Sequence, residues 1–331
     1  MYQFSIFFLL IIGLFSCNRD PVIHTNYVSG NAFGTTFSVQ YMDKKQIDFT
    51  KSYDSLITVI NTSMSTYQED SDISRINKGD SLVVVDDHFQ KVFNVSKRIH
   101  KETNGVFDPT IGVLVNAWDF GPQGNVKALD SLKIDSLLLS VGLDKVHIKN
   151  NKIVKEKRNT FIDFNALAKG YAVDVFAEFL ESRGAEHYLV EIGGEIRGKG
   201  INKAKQKPWQ IGVEDPNFDQ TQSYSKVISL QNEAMATSGS YRKFKVDVDG
   251  NRYAHIINSK TGYPHQSHLL SVSVIATSCM EADAYATAFM SMGLEQSKRF
   301  LTTHPELKVY FIYESKEKEL RTLSVNDFPE N

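Results

Sequence analysis

Residues 279–290, CMEADAYATAFM, are almost wholly small and apolar, yet they carry Asp283 and Thr287 four positions apart. Ser278 stands three residues before Glu281, the spacing of a capping box. A helix therefore starts near Cys279 and puts Asp283 early in its second turn. Asp283 and Thr287 then share a face, on a helix that Ala282, Ala284, Ala286 and Ala288 keep narrow enough for close packing. A carboxylate and a hydroxyl one turn apart can supply two oxygens to a hard cation. Magnesium takes oxygen ligands at about 2.0–2.1 Å and completes its shell with water and substrate phosphate. A plainer use of the pair has Thr287 bond the carbonyl one turn back while Asp283 faces water.

Outward from this helix, NALAKGYAVDVFAEFLESRG (165–184) repeats apolar residues at i, i+3, i+4 and i+7 through Ala168, Tyr171, Ala172, Val175, Phe176, Phe179 and Leu180. It predicts a helix from near Ala166 to a stop at Gly184. A third helix, with Asp86 or Asp87 as cap and Asn104-Gly105 as stop, places Phe89, Val92, Phe93, Ser96 and Ile99 on one face. NYVSGNAFGTTFSVQYM (26–42) alternates as a strand or hairpin, and VHIKNNKIV (146–154) as a hairpin turning at Asn150-Asn151. Strands are also expected at 186–192, 209–213, 226–231, 252–257, 269–276 and 307–314. Helices and strands mix without a sustained βαβ rhythm, which favours an α+β fold over a doubly wound sheet.

The 331 residues suffice for one large domain or two modest ones, and 37 basic against 39 acidic side chains, with no long cationic run, exclude an electrostatic footprint for nucleic acid. The apolar run Ile6–Phe15 is short for a membrane span and suits a signal-peptide core. It ends at Leu14-Phe15-Ser16-Cys17, which resembles a bacterial lipobox whose Cys17 becomes lipidated, although no Lys or Arg precedes the core and Phe15 is bulky. An ordinary secretory signal or an N-terminal anchor helix are the other readings of this segment. The expected organisation is a lipoprotein signal at 1–16, a tether at 17–27 and one domain at 28–331. Cys279 alone would then remain as a thiol, which excludes a disulfide framework and suits a small buried hydrophobe.

Four more stretches carry polar groups of interest. NALAKGYAVD puts Lys169 and Gly170 at a helix start, where N–H groups and the dipole favour phosphate. VEIGGEIRGKG runs a strand into Gly193-Gly194, a turn, a bulge or a place of close backbone approach. ATSGSYRKF offers hydroxyls in a loop, and YAHIINSKTGYP places His255 inside an alternating strand. No Ser-His-Asp order, CxxC pair, HExxH helix or GxGxxG motif is present, so zinc, acyl-transfer and Rossmann chemistry lack support.

In order along the chain, GTTFSVQY, MSTYQEDSDISRIN, TNGVFDPTIGVLVNAW, IDFNALAKGYAVD, VEIGGEIRGKG, ATSGSYRKF, HIINSKTGYP and CMEADAYATAFMSMG resemble the ApbE family of FAD:protein FMN transferases, from about residue 34 to 293. The resemblance implies a single T-fold-like α+β domain with a flavin cleft between its subregions and FAD held as substrate by magnesium. By motif position it implies Asp283 and Thr287 as side-chain metal ligands and Ala166 as a carbonyl ligand. Lys169 would approach the phosphates, Tyr67 would stack on the isoalloxazine, and Met64, Asp163 and Gly194 would line the flavin site. Thr237 and Ser238 would border the cleft, and His255 would act in catalysis as proton acceptor. Phe164-Asn165, Asn258-Ser259 and Glu195 depart from the family's more usual Leu-Gly, Asp-Pro and Asp or Asn.

The implied reaction moves FMN from FAD to a Thr or Ser hydroxyl of a target flavoprotein and releases AMP. Two alternatives stand beside it: an FAD pyrophosphatase giving FMN and AMP, and a non-enzymatic flavin-binding lipoprotein. The implied setting is the bacterial cell envelope, lipid-anchored and facing the periplasm. Its partners there would be a subunit of a sodium-pumping NADH:quinone reductase (Nqr) or Rnf-type complex, or a secreted flavoreductase.

Overall fold

The computed structural model describes residues 23–124, 129–216, 223–241, 244–246, 252–265 and 268–330. Cys17 and the signal at 1–16 lie outside the described residues. No described helix is long and apolar enough to cross a membrane.

Eight strands form one sheet in the order His24–Ala32, Thr35–Asp43, Tyr188–Ile192, Glu195–Lys199, Glu233–Gly239, Leu269–Ala276, Lys308–Glu314 and Leu320–Val325. Every neighbouring pair is antiparallel, in keeping with the missing βαβ rhythm. Each face is buried, by different elements. Phe37, Val39, Tyr41, Val190, Ala234, Ala236, Val272 and Val274 join the main core, beneath the helices Ala168–Ser182 and Cys279–Met292. Ile196, Met235, Ile275, Tyr310 and Ile312 point the other way and meet Ile211, Val213, Ile228 and Leu230 from the smaller sheet of Ile201–Asn202, Lys207–Glu214 and Tyr224–Leu230. The period-two alternation of each central strand thus serves two cores at once. Leu269 falls on the helix side with even-numbered residues because the ladder to the next strand shifts register between Leu269 and Ser271.

Between Asp43 and Tyr188 the chain leaves the sheet. It builds the helices Thr50–Met64, Asp72–Lys78 and Asp87–Glu102, the short helices Gly112–Ala117 and Ser131–Leu138, and a hairpin, before the Ala168–Ser182 helix returns it. Expected local signals operate here. Asp86 caps the Asp87–Glu102 helix by accepting from Phe89 N–H, and Asn150 and Asn151 take φ of 52° and 57° in the hairpin turn.

Two boundaries differ from expectation. The first strand starts at His24, inside the stretch read as tether. Its first two residues, His24 and Thr25, are polar and exposed, whereas Asn26, where the alternating stretch begins, is buried, donating to Lys45 C=O and accepting from Ile47 N–H. The strand expected over 252–257 ends at Ala254, so His255 follows it in irregular chain.

Candidate active site

The contact between the two central helices builds the site. A Cβ on Gly170 would lie 2.3 Å from Cys279 O and 2.9 Å from Asp283 Cβ, so only glycine lets the helices meet this closely. The buried alanines at 282, 284, 286 and 288 serve the same approach. At this crossing Gly170 N–H donates to Asp283 Oδ2 at 3.1 Å. That N–H belongs to the first turn of the Ala168–Ser182 helix, where it has no intrahelical acceptor. The helix starts at Ala168, two positions later than the periodicity suggested, and Ala166 lies in the turn before it. Asp283 therefore takes a helix-terminal donor that the sequence reading had offered to phosphate.

Asp174, four residues on, takes the reciprocal part. It is buried, accepts from Cys279 N–H at 3.0 Å and Met280 N–H at 2.9 Å, and pairs with Arg197 at 2.9 Å. The second helix thus starts on a carboxylate of the first. Of the capping box only one half forms: Ser278 Oγ accepts from Glu281 N–H at 3.3 Å, while the Glu281 carboxylate turns to Arg98.

Asp283 does not face water; it is 6% exposed. Burial first, and then the nearby carboxylate of Glu195, push its pKa up to about 8, against the opposing pull of Lys169 and the Gly170 N–H. Glu195 is 2% exposed, and its Oε1 lies 2.6 Å from Lys169 Nζ. The Gly193-Gly194 turn, with φ of 62° and 102°, delivers it there as the first residue of the next strand. Thr287, one turn beyond Asp283, lies with Oγ1 3.2 Å from Ser238 Oγ.

These groups open on a cleft of about 350 Å³ between the sheet and the inserted segment. Tyr67, Asp163, Ala166, Lys169, Thr237, Ser238, His255, Asp283 and Thr287 line it together. Met64 does not: it is 4% exposed in the main core, closing the Thr50–Met64 helix. Gly194 sits behind the lining, its N–H donating to Glu191 Oε1 at 2.9 Å. Thr237 and Ser238 both border the cleft, but their hydroxyls diverge as strand neighbours must. Thr237 Oγ1 meets Ser273 Oγ across the ladder at 2.8 Å, whereas Ser238 turns to Thr287. Tyr67 is 62% exposed, and the partial desolvation of its hydroxyl at the cleft, with Asp163 adding to the effect, raises its pKa. Asp163 Oδ1 accepts from Asn165 N–H at 2.8 Å and so shapes the turn that leads to Ala166.

The sequence reading passed over Asp108, Phe120 and the cleft-facing role of Glu195, all of which line the cavity. Asp174 was also missed, although an acid on the buried stripe of a helix is the kind of signal that could have exposed it.

Among the described residues no cluster of three His, Cys, Asp or Glu side chains could hold a metal by itself. The local donors are instead hard oxygens, those of Asp283, Thr287 and Ser238, with Asn165 and Ala166 of the adjoining turn lining the same cleft. Two buried acids, Asp283 and Glu195, meet Lys169 at this crossing. That donor set fits a magnesium ion that shares its shell with a ligand phosphate, and it does not fit zinc.

Comparison with known proteins agrees with this architecture. The ApbE family profile matches residues 33–311. The FAD:protein FMN transferase of Haemophilus influenzae is 35% identical over 316 residues, covering 92% of this chain and 90% of its own. That of Vibrio cholerae is 38% identical over 277 residues, 82% of each chain. The solved flavin transferase ApbE from Vibrio cholerae superposes with a TM-score of 0.83 at 33% identity, over 93% of this chain and 99% of that one. The apo flavinyl transferase ApbE of Pseudomonas stutzeri gives 0.82 at 28% identity, over 92% and 96%. With its profile, its relatives and its fold in accord, the chain belongs to the ApbE family.

Proposed function

We propose that this protein is a flavin transferase that moves the FMN part of FAD to a Thr or Ser hydroxyl of a target flavoprotein and releases AMP. Support for flavin transfer comes from the relatives named FAD:protein FMN transferase. The observation that carries the chemistry is the buried Asp283, sharing a helix crossing with Lys169, Glu195 and the Thr287–Ser238 hydroxyl pair at the wall of one cleft.

In this reading Tyr67 stacks on the isoalloxazine at the cleft mouth and Asp163 holds the adjoining turn. Lys169 turns from Glu195 toward the pyrophosphate. Asp283, Thr287 and the Ala166 carbonyl would hold magnesium. When bound, the ion neutralises charge on the phosphate oxygens, the main demand of phosphoryl transfer. The target hydroxyl oxygen attacks the phosphorus nearest riboflavin, and the bond from that phosphorus to the bridging oxygen breaks. AMP departs with that oxygen, and the hydroxyl proton passes to His255, which lines the same cleft.

The lipobox at Leu14–Cys17 supports lipid anchoring at Cys17 in the bacterial cell envelope, facing the periplasm. A subunit of an Nqr- or Rnf-type complex, or a secreted flavoreductase, is then the partner that carries the acceptor.

The test incubates the protein with FAD, MgCl₂ and a candidate target domain, and reads intact mass and free nucleotides together. A target mass gain equal to FMN, with AMP released and both lost in Asp283→Ala, is the expected result. FMN and AMP without a mass gain on any target would make the protein a pyrophosphatase, and unchanged FAD would make it a flavin-binding protein.

A further inference from the structure

His255 stands in irregular chain, and a base must be held within hydrogen-bond reach of its proton to act. Its ring makes an edge-to-face contact with Phe120, centroids 6.3 Å apart. Phe120 is 5% exposed in the wall of the cleft. The residue before Phe120, Asp119, adopts φ of 62°, a left-handed conformation that Asp tolerates better than most residues. Asp119 is ion-paired with Lys245, and Lys245 Nζ sits 5.2 Å from the centre of the Phe120 ring.

Lys245 lies on the strand Phe244–Val246, paired antiparallel with Arg252–Ala254, and Phe244 stands opposite Ala254. Ala254 is joined to His255. A closed circuit follows, running from His255 through Ala254, Phe244, Lys245, Asp119 and Phe120 back to the imidazole. The other side of His255 is tied to the same loop, because Trp118 Nε1–H donates to Gly262 C=O at 2.8 Å. That carbonyl belongs to the turn closed by Gly262 N–H donating to Asn258 C=O.

We propose that the Asp119–Lys245 pair is a latch that sets the imidazole of His255 in the cleft, Lys245 and Asp119 being positioning residues for the transfer step. The inference rests on the transferase reading above. The pair is partly exposed, at 32% and 44% for the two side chains, and such a pair contributes little to stability. Its effect on the reaction is larger, since a displacement of about 1 Å in a reacting group costs on the order of 100-fold in rate. Stability and transfer therefore respond differently to its removal.

The experiment compares wild type, Lys245→Met, Asp119→Asn, the double variant and Lys245→Arg. It measures FMN transfer at varied FAD and records the His255 ring by ¹H–¹³C NMR on ¹³C-histidine-labelled protein, the signal being assigned by its loss in His255→Gln. Lys245→Met is expected to slow transfer at saturating FAD by about 10-fold or more while the FAD KM stays within about twofold. It should shift or broaden the His255 signal with unchanged melting. Asp119→Asn should do the same, the double variant no more, and Lys245→Arg should behave as wild type. Wild-type rate and an unmoved His255 signal in Lys245→Met overturn the latch, and so does a raised FAD KM with an unchanged saturated rate. If wild type transfers no FMN at all, the transferase reading falls and the His255 signal alone decides the latch.

Discussion

Gly170→Ala tests the helix crossing on which the site is built. Two effects of opposite sign compete. Alanine is favoured over glycine inside a helix by up to about 1 kcal/mol. Against that, the new Cβ would lie 2.3 Å from Cys279 O, 2.7 Å from Cys279 C and 2.9 Å from Asp283 Cβ. Two of these are backbone atoms in the first turn of a helix pinned by Asp174, so no side chain can swing aside. Relief requires the helices to part by about 1 Å, and such overpacking costs typically 1–3 kcal/mol, which outweighs the propensity gain at all but its lower end. The net loss, up to about 2 kcal/mol, corresponds to a fall in Tm of up to roughly 3 °C for a domain of this size. The parting also pulls Gly170 N–H away from Asp283, so FMN transfer should fall further than the melting point implies. Scanning calorimetry and the mass assay on the same preparation check both. A variant that melts at or above wild type would refute the close crossing.

Asp174→Ala strips two helix-terminal N–H groups of their acceptor and leaves the partly buried Arg197 to Glu181 and Tyr188. A loss of about 3–5 kcal/mol is expected, read from urea unfolding. On the proposed reading MgCl₂ with FAD should raise the melting temperature of wild type, by a stabilisation that for a single site reaches about 2.7 kcal/mol at 100 times Kd, and Asp283→Asn should remove that rise and abolish FMN transfer; a persisting rise would place the metal elsewhere. His187 Nδ1 accepts from Ile201 N–H at 3.0 Å, and burial, aided by Lys203, lowers its pKa below 6.5. The unfolded chain then takes up the proton first on acidification. Its contribution to stability is full above pH 6.5 and is lost as pH falls through the lower folded value. His187→Asn, which keeps an acceptor without the titration, should flatten that part of the stability curve, and an unchanged slope would assign it to another group.

The parts of the molecule that could be read from the chain are those whose determinants lie within one turn or one strand. The helices at 168–182 and 279–292 announced themselves through periodicity, the cap at Ser278 and the stop at Gly184, and the Asp283–Thr287 pair through its four-residue spacing. Determinants that act across the fold left weaker traces. Asp174 looked like a polar interruption because its partners Cys279 and Met280 lie on another helix. His24 and Thr25 looked like tether because their exposed polar side chains carry no mark of the pairing with Asp43 and Met42 that makes them strand. Strand period alone would have parted Thr237 from Ser238, but the loop-like composition of ATSGSY concealed the strand that imposes it. Glu195 shows the limit most clearly. In the chain it is an acid after two glycines; in the fold the left-handed turn commits it to the buried crossing beside Asp283, where a second carboxylate costs stability in the absence of a cation. A fold that keeps both acids there, with one lysine between them, is poised to take up positive charge, and the open side of that cluster is the cleft itself.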